Sequence, residues 1–506
     1  MSNKKQKKLT PEEENQLSFI NTLDEVNYTE EQKDFIYDMS KKSVLLIATA
    51  GSGKSFSTVH KLKHLLKNGV SPSKMIFFSY TKAATEELQK RIGRDDVKIT
   101  TIHAFALGIL AKIGRFKSII TFYDFVKWYR EKYKPSPYAS HETKTEFYEL
   151  IGNLYEESDY ISSTIAAFKL QTADGIKCQV PLFLTQYNEF LRETRSRDFS
   201  DMLIEVRDLL KEDKWLKMFR NQYDYIFVDE YQDTSTIQMQ ILLSLNAKYY
   251  YLIGDRSQNI YSYGGANCKK IEAMLKSRRE TVDKTLSINF RSDKAIIENS
   301  NRFSTLKAIP NSKADGFVQK YIISQIEADK EVVETKKTLD LITVLNTYSE
   351  VAILARTNAV IKKIEFELLK RKYPMRYFNY LTTNDFVEYK KGNIHVNLQD
   401  RLNKIKKYFN DSEMEVFTFI ETNKSSKKFV TSIHKSKGRE FDYCVVVNSL
   451  DPILVSQVGL DKKLTPKQLS KITFDINEEE DVEPRNIHYV AVSRSKHGLF
   501  YMLYDF

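Results

Sequence analysis

Short apolar runs bounded by turn residues recur through the first part of the chain. Ser43–Ala48, Lys74–Tyr80, Tyr223–Asp229 and Tyr249–Gly254 each read as a buried strand. Helical patterns such as Ser55–Leu66 and Ala83–Ile92 lie between most of them. Strands alternating with helices predict a parallel, doubly wound sheet. From about Arg115 to Arg195 the pattern changes to aromatic, charged and helical, with Pro135 and Pro137 marking a loop. This interval reads as an insertion in the first sheet domain. A second alternating region begins near Thr281 and takes in Val351–Ala355, the helix-like Ala359–Arg371, Tyr443–Asn448 and Gly498–Tyr504. It is broken between about Tyr380 and Lys428 by a polar, lysine-rich stretch without strand alternation. The expected class is α/β, with two doubly wound parallel-sheet domains, each interrupted once by a mainly helical insertion. The expected pieces are 1–114 and 196–280 around an insertion at 115–195, then 281–379 and 429–506 around a short one at 380–428.

A length of 506 residues fits more than one core, which agrees with two sheet domains. The formal charge of +11, from 78 basic and 67 acidic residues, permits a polyanionic partner without requiring one. The 30 Tyr and 30 Phe offer stacking surfaces, although most aromatics pack cores. Cys178, Cys268 and Cys444 are far apart, which argues against a disulfide framework or structural zinc and fits a reducing compartment. No apolar segment follows the N-terminal lysines, and the apolar runs are too short to span a bilayer. The expected location is therefore cytoplasmic, or its nuclear or viral equivalent. Abundant lysine and tyrosine with few glycines point toward an AT-rich genome.

Ala48-Thr-Ala-Gly-Ser-Gly-Lys-Ser55 follows a predicted strand and opens a predicted helix, which is the context a P-loop needs. Backbone N–H groups of Ala50, Gly51, Ser52 and Gly53 can wrap phosphates at the positive end of the helix. Lys54 neutralises the β- and γ-phosphates in this reading, and the Ser55 hydroxyl ligates Mg²⁺. Ile226-Phe-Val-Asp-Glu230 is an apolar strand ending in two carboxylates, delivered to the crevice where such sheets bind ligands. Asp229 is expected to hold Mg²⁺ and Glu230 to polarise the attacking water. After a third strand, Gln258 is placed to sense the γ-phosphate or to position water. ATP and Mg²⁺ are the expected cofactors.

Together these residues resemble superfamily 1 helicases of the UvrD/Rep/PcrA type. Val228-Asp-Glu-Tyr-Gln-Asp-Thr234 is similar to that family's second motif, and Gly254 to Ala266 to its third. Asn27-Tyr-Thr-Glu-Glu-Gln32 resembles the adenine-reading motif, which implies Gln32 as the reader. Tyr80-Thr-Lys-Ala-Ala84 and Thr101-Ile-His-Ala-Phe105 resemble the two strand-contacting motifs of the first core. Asp198-Phe-Ser-Asp-Met202 is similar to a segment that follows the first insertion. In the second core, Ile288-Asn-Phe-Arg-Ser292 resembles the fourth motif, implying Phe290 against adenine and Arg291 on the γ-phosphate. Ser432 to Glu440 resembles the fifth, implying DNA contact at His434 and Lys437 and nucleotide contact at Glu440. Tyr489-Val-Ala-Val-Ser-Arg494 resembles the sixth, with Arg494 as arginine finger. The strand track is completed by Thr81, His103, Phe105 and Tyr263. The resemblance implies two RecA-like P-loop cores and a monomeric ATP-driven 3′-to-5′ helicase on single-stranded DNA and single/double-strand junctions. It also implies partners among replication, repair or recombination proteins, and no membrane.

Departures from the family pattern are specific. Tyr263-Gly-Gly265 stands where the family has Trp-Arg-Gly, and Ser79-Tyr-Thr-Lys82 where it has Phe-Thr-Asn-Lys. The second insertion is much shorter than the family's regulatory subdomain. Two competing expectations stay open: a translocase that strips proteins from a strand with little unwinding, and a nucleotide-gated binding switch.

Overall fold

Strand β1 (Ser43–Ala48) is six consecutive buried residues, a pattern that only a strand covered on both faces needs. The computed structural model describes residues 26–156, 158–261, 265–322, 341–381, 383–390, 396–447 and 482–503. They fall into two compact units, divided between Ser287 and Ile288.

In the first unit, β1 is joined by β2 (Met75–Ser79), β3 (Lys98–Thr101), β4 (Tyr225–Asp229), β5 (Tyr249–Gly254) and β6 (Thr281–Leu286). All pairs are parallel, in the order β3-β2-β4-β5-β1-β6. Helices α1 (Glu30–Ile36), α2 (Lys54–Lys67), α3 (Lys82–Ile92) and α4 (Ile102–Lys112) belong to the same unit. A row of stacked rings crosses the sheet, with Phe77 and Phe227 centroids 4.2 Å apart and Phe227 and Tyr251 4.6 Å apart. Val59, Leu62 and Leu65 of α2 share that core with Phe35 and Ile36 of α1. The insertion folds as helices Phe122–Lys132, His141–Glu156, Ser158–Ala173 and Leu184–Glu193. It has its own core around Phe125, Leu154, Ile165 and Phe190. Lys169 ties it to the following helix through Asp198 at 2.8 Å and Asp201 at 2.9 Å.

The second unit holds a parallel sheet of five strands. These are β9 (Phe317–Ile322), β10 (Val351–Ala355), β11 (Lys428–Ser432), β12 (Phe441–Val447) and β13 (Ser495–Leu503), in the order β11-β10-β12-β13-β9. Two-residue strands β7 (Ile288–Asn289) and β8 (Ile309–Pro310) pair separately. Among the described residues no helix is long and apolar enough to cross a membrane.

Two sequence expectations need correction. Thr281–Leu286 was expected to open the second domain, yet it pairs along its whole length with β1 as the sixth strand of the first sheet. Its half-exposed alternation suits an edge strand, so it lacks the buried run that marks a central one. The short second insertion forms helices Thr383–Lys390, Val396–Lys406 and Glu413–Thr422, but among the described residues it has no core of its own. Leu398, Leu402, Ile405, Val416 and Phe417 share one cluster with Ile353, Val430 and Val445 of the sheet. Those three helices are part of the second unit's own packing.

Candidate nucleotide site and strand-facing surface

The order β4-β5-β1 sets three strand ends side by side at the carboxyl edge of the first sheet, where parallel sheets carry their sites. At the end of β1 the chain turns through Gly51 (φ 74°) and Gly53 (φ 81°), left-handed conformations that a side chain disfavours. Ser52 closes the loop by donating its hydroxyl to the Thr49 carbonyl at 2.8 Å. α2 then begins at Lys54, so Ala50, Gly51, Ser52, Gly53, Lys54 and Ser55 lie on one loop and helix start. Gln32 is buried beside it: a Cβ added at Gly53 would sit 3.4 Å from its Nε2. Thr29 and Gln32 form a reciprocal capping box, the Thr29 N–H donating to Gln32 Oε1 at 3.0 Å and the Gln32 N–H to Thr29 Oγ1 at 3.2 Å. The cap fixes the amide with its Nε2 toward the loop.

Asp229 ends β4 and Glu230 follows it. Glu230 has φ 53°, an uncommon left-handed conformation for a residue with a side chain. Gln232 Nε2 donates to Glu230 Oε2 at 2.5 Å, while Gln232 Oε1 accepts from the Asp255 N–H at 3.1 Å. Asp255 in turn accepts from Gln258 Nε2 at 2.9 Å. A continuous relay thus runs from Glu230 through Gln232 and Asp255 to Gln258, joining the ends of β4 and β5. The motif strings locate the relay's two ends, Glu230 and Gln258, but not its middle. Gln232 and Asp255 sat inside motif strings without a role, and nothing in a string shows which side chains face one another. Tyr231 and Arg256 were missed as well. Tyr231 Oη donates to Glu272 at 2.6 Å, and Arg256 donates to both oxygens of the same carboxylate, at 2.7 and 2.6 Å. This bidentate pair braces the relay from behind.

Asp229 Oδ1 is buried without a hydrogen-bond partner. Burial, with Glu230 next to it, pushes the Asp229 carboxyl up to about 7, against the pull of Lys54. A buried, orphaned carboxylate oxygen within reach of the charge on Lys54, the neighbour of Ser55 at the start of α2, fits a hard cation with oxygen ligands, so Asp229 and Ser55 would hold Mg²⁺. A raised acid has a definite stability sign. Folded Asp229 keeps its proton up to about 7 while the unfolded chain loses it near 3.8, so stability falls as pH rises through that window. Asp229→Asn is therefore expected to raise the melting temperature relative to wild type more at pH 8 than at pH 5. Nucleotide-dependent Mg²⁺ affinity of the wild type should weaken as pH drops below about 7, because the cation must displace a proton. Calorimetry across pH checks both. A flat difference between the two proteins would mean that Asp229 is already ionised in the empty site.

In the second unit the structure gathers Arg291, Glu440 and Arg494 around Ser493. Arg291 Nε donates to Glu440 at 2.8 Å and its Nη1 to the Ser493 carbonyl at 3.2 Å. Lys496 adds a second cation 3.5 Å from Glu440, and with Arg291 it holds that carboxyl below its usual range despite burial. Phe290 is exposed. Arg494 departs from the expectation of a poised finger. Its guanidinium donates to the Val490 carbonyl at 3.0 Å, the Arg439 carbonyl at 3.2 Å and Ser493 Oγ at 3.0 Å. The physical reason is local: Val490 lies in the last turn of helix Val482–Val492, whose end carbonyls need donors.

The strand-contact residues are placed less uniformly. Thr81 is exposed but spends its hydroxyl on the Ala84 N–H at 3.1 Å, capping α3. His103 lies edge-on to Phe199 at 5.3 Å, and burial lowers its pKa, so the ring is neutral at pH 7. Phe105 is a correction: its ring is 7% exposed and packs edge-on against Phe78 at 5.3 Å, so it builds the core and presents no face to a base. An apolar residue on the inner side of a helix explains it. Tyr263 lies outside the described residues. His434 and Lys437 flank the turn after β11, where Ser432 accepts the Lys435 N–H at 3.1 Å. Tyr80 carries no role expected from its motif string. Here it is 41% exposed and stacks on Tyr261 at 5.3 Å with rings 24° apart.

Residues 28–279 match the family model described as the UvrD/REP helicase N-terminal domain. The chain is similar to a probable DNA helicase II homolog of Mycoplasma capricolum, 27% identical over 391 residues, covering 71% of this chain and 53% of the relative. It is also similar to the ATP-dependent DNA helicase PcrA of Leuconostoc citreum, 24% identical over 489 residues, covering 84% of this chain and 64% of the relative. With PcrA of Staphylococcus aureus it is 26% identical over 354 residues, which is 65% of this chain and 48% of that protein. The chain thus spans about half to two thirds of the length of these curated relatives.

Proposed function

The chain belongs to the UvrD/Rep helicases, and from that premise we propose that it is an ATP-dependent motor moving 3′ to 5′ along single-stranded DNA. The observation that carries the reading is the shared sheet edge. A P-loop, a carboxylate pair and a glutamine sensor lie on adjacent strand ends, and the Glu230–Gln232–Asp255–Gln258 relay joins the last two. In this reading Lys54 and the loop N–H groups take the phosphates, Glu230 takes the proton of the attacking water, and Gln258 reports the γ-phosphate. Gln32 and Phe290 hold the adenine, and Glu440 lies near the nucleotide. Arg291 and Arg494 lend positive charge to the γ-phosphate at the moment of hydrolysis. For Arg494 this requires release of the three hydrogen bonds described above.

Single-stranded DNA is held by backbone contacts at Thr81 and Lys437, by His103 and His434, and by stacking on Tyr263 and the Tyr80–Tyr261 pair. Base stacking on an aromatic is worth about 1–3 kcal/mol. Tyr80→Ala should therefore weaken single-strand affinity by about tenfold, with its salt dependence unchanged because no phosphate contact is lost. Titration of a labelled oligonucleotide at several salt concentrations checks this. An unchanged affinity removes Tyr80 from the track.

Forked duplexes with a 3′ or a 5′ single-stranded tail test the whole assignment: unwinding confined to the 3′ tail is expected. One observation favours a second reading, a translocase that strips proteins with little unwinding. The short second insertion is consumed in packing its own sheet. Displacement of a protein block without strand separation on either fork would select it.

A further inference from the structure

α1 does more than carry Gln32. Glu31, the residue before it, turns its carboxylate to the end of β6. Glu31 Oε2 accepts the Ser287 N–H at 2.6 Å, and Glu31 Oε1 accepts the Ser287 hydroxyl at 2.7 Å and that of Thr285 at 3.4 Å. The P-loop reaches the same point. Thr49 follows β1 directly, donates its N–H to the Leu286 carbonyl at 3.0 Å, and places its hydroxyl 3.4 Å from the Ser287 carbonyl. Thr49 and Ser287 are both buried. Ser287 is the last residue of the first unit. Every polar backbone or side-chain group of Ser287 is thus held by one of the two segments assigned to the nucleotide.

α1 is also fastened at both ends. Its N-terminus is closed by the Thr29–Gln32 box. Around its C-terminus the buried Lys61 of α2 donates to the Ile36 carbonyl at 3.3 Å and to the Asp38 carbonyl, and Lys284 of β6 donates to Asp34 at 2.8 Å. A helix held this way shifts as a rigid piece. A displacement imposed at Gln32 therefore arrives, one residue away, at the Glu31 carboxylate. Charge-assisted, bidentate hydrogen bonds are short, directional and strong enough to pass such a displacement on.

We infer that Glu31 is a positioning residue that transmits nucleotide occupancy to Ser287, and so sets the path of the chain as it leaves the first unit. This rests on the motor reading, in which hydrolysis drives movement of the chain beyond that point. Glu31 touches neither phosphate nor base in that account. Its loss should leave binding intact and uncouple it from turnover.

The test compares wild type with Glu31→Ala, Ser287→Ala and Ser287→Thr, measuring ATP affinity, single-strand affinity and strand-stimulated hydrolysis. Glu31→Ala removes both bonds and should lower stimulated kcat by about tenfold or more, with ATP KM and strand affinity within about threefold of wild type. Ser287→Ala keeps the N–H bond and should lose less, about threefold. Ser287→Thr retains both donors and should behave as wild type. A kcat loss without a KM change, rescued by the hydroxyl, is the signature of transmission. A raised KM with unchanged kcat would overturn the inference and make Glu31 a support for adenine binding alone. Equal kcat in all four proteins would overturn it too. If the wild type itself shows no strand stimulation, the motor reading fails first and is recognised separately.

Discussion

Replacing Glu230 by Gln is expected to leave ATP bound and nearly stop its hydrolysis. The substitution removes the carboxylate that accepts a proton from the attacking water while keeping the volume of the side chain. General-base catalysis contributes about 10²–10⁴-fold, so kcat should fall by that factor. The surroundings sharpen the expectation. Glu230 Oε2 accepts from Gln232 Nε2, and the amide introduced by Glu230→Gln can still complete that bond through its remaining oxygen. The left-handed backbone at Glu230 is set by the turn into Tyr231–Asp233 and is tolerated equally by Gln. Affinity for a nucleotide analogue should stay within about threefold of wild type, since uniform binding is not what the substitution removes. Steady-state hydrolysis with and without single-stranded DNA, beside analogue titration, checks both halves. A kcat reduced less than tenfold would move the base role away from Glu230.

Gly254→Ala should damage the same site without touching any residue that meets the nucleotide. A Cβ at Gly254 would overlap Gln232 Oε1 outright and lie 2.8 Å from Tyr231 Cδ1. The Gln232 amide can swing away, but only by giving up its bonds to Asp255 and Glu230. Tyr231 has no such freedom, because its ring is fully buried and its hydroxyl is held by Glu272. Overpacking of this kind costs about 1–3 kcal/mol. Losing the Gln232 bonds to the Asp255 N–H and to Glu230 adds about 1–3 kcal/mol more. Thermal unfolding should shift down, and the kcat of the folded fraction should drop by about 100-fold as Gln258 loses its link to Glu230. Melting curves and kcat referred to folded protein distinguish the two losses. Normal turnover in a destabilised protein would show that the relay is structural.

The sequence made these positions legible to different degrees. Central strands announced themselves because burial on both faces leaves an unbroken apolar run: Ser43–Ala48, Tyr249–Gly254 and Val351–Ala355 end where the pattern predicts. Edge strands did not. Lys98–Thr101 is Lys-Ile-Thr-Thr, half solvated, and Thr281–Leu286 alternates, so neither carries the signal and the domain boundary was drawn seven residues early. The P-loop and the Asp229–Glu230 pair could be located because their chemistry follows from a strand ending in a specific local string. Glu31, Gln232, Asp255 and Glu272 were invisible for the opposite reason. Their roles depend on partners up to 256 residues away in the chain, and pairing at that range is a property of the fold. Phe105 shows the reverse error, where a motif position assigned to a ligand packs against the protein itself.

Hydrolysis that drives movement along a single strand must respond to that strand. The decisive measurement is wild-type ATP hydrolysis in the absence and presence of single-stranded DNA at saturating Mg²⁺. A strand-driven motor shows slow hydrolysis alone and a stimulation of tenfold or more (on the order of what assembling the full catalytic set provides) when the strand is added. A rate indifferent to single-stranded DNA would contradict it, and would leave the P-loop and its relay serving a nucleotide-gated switch.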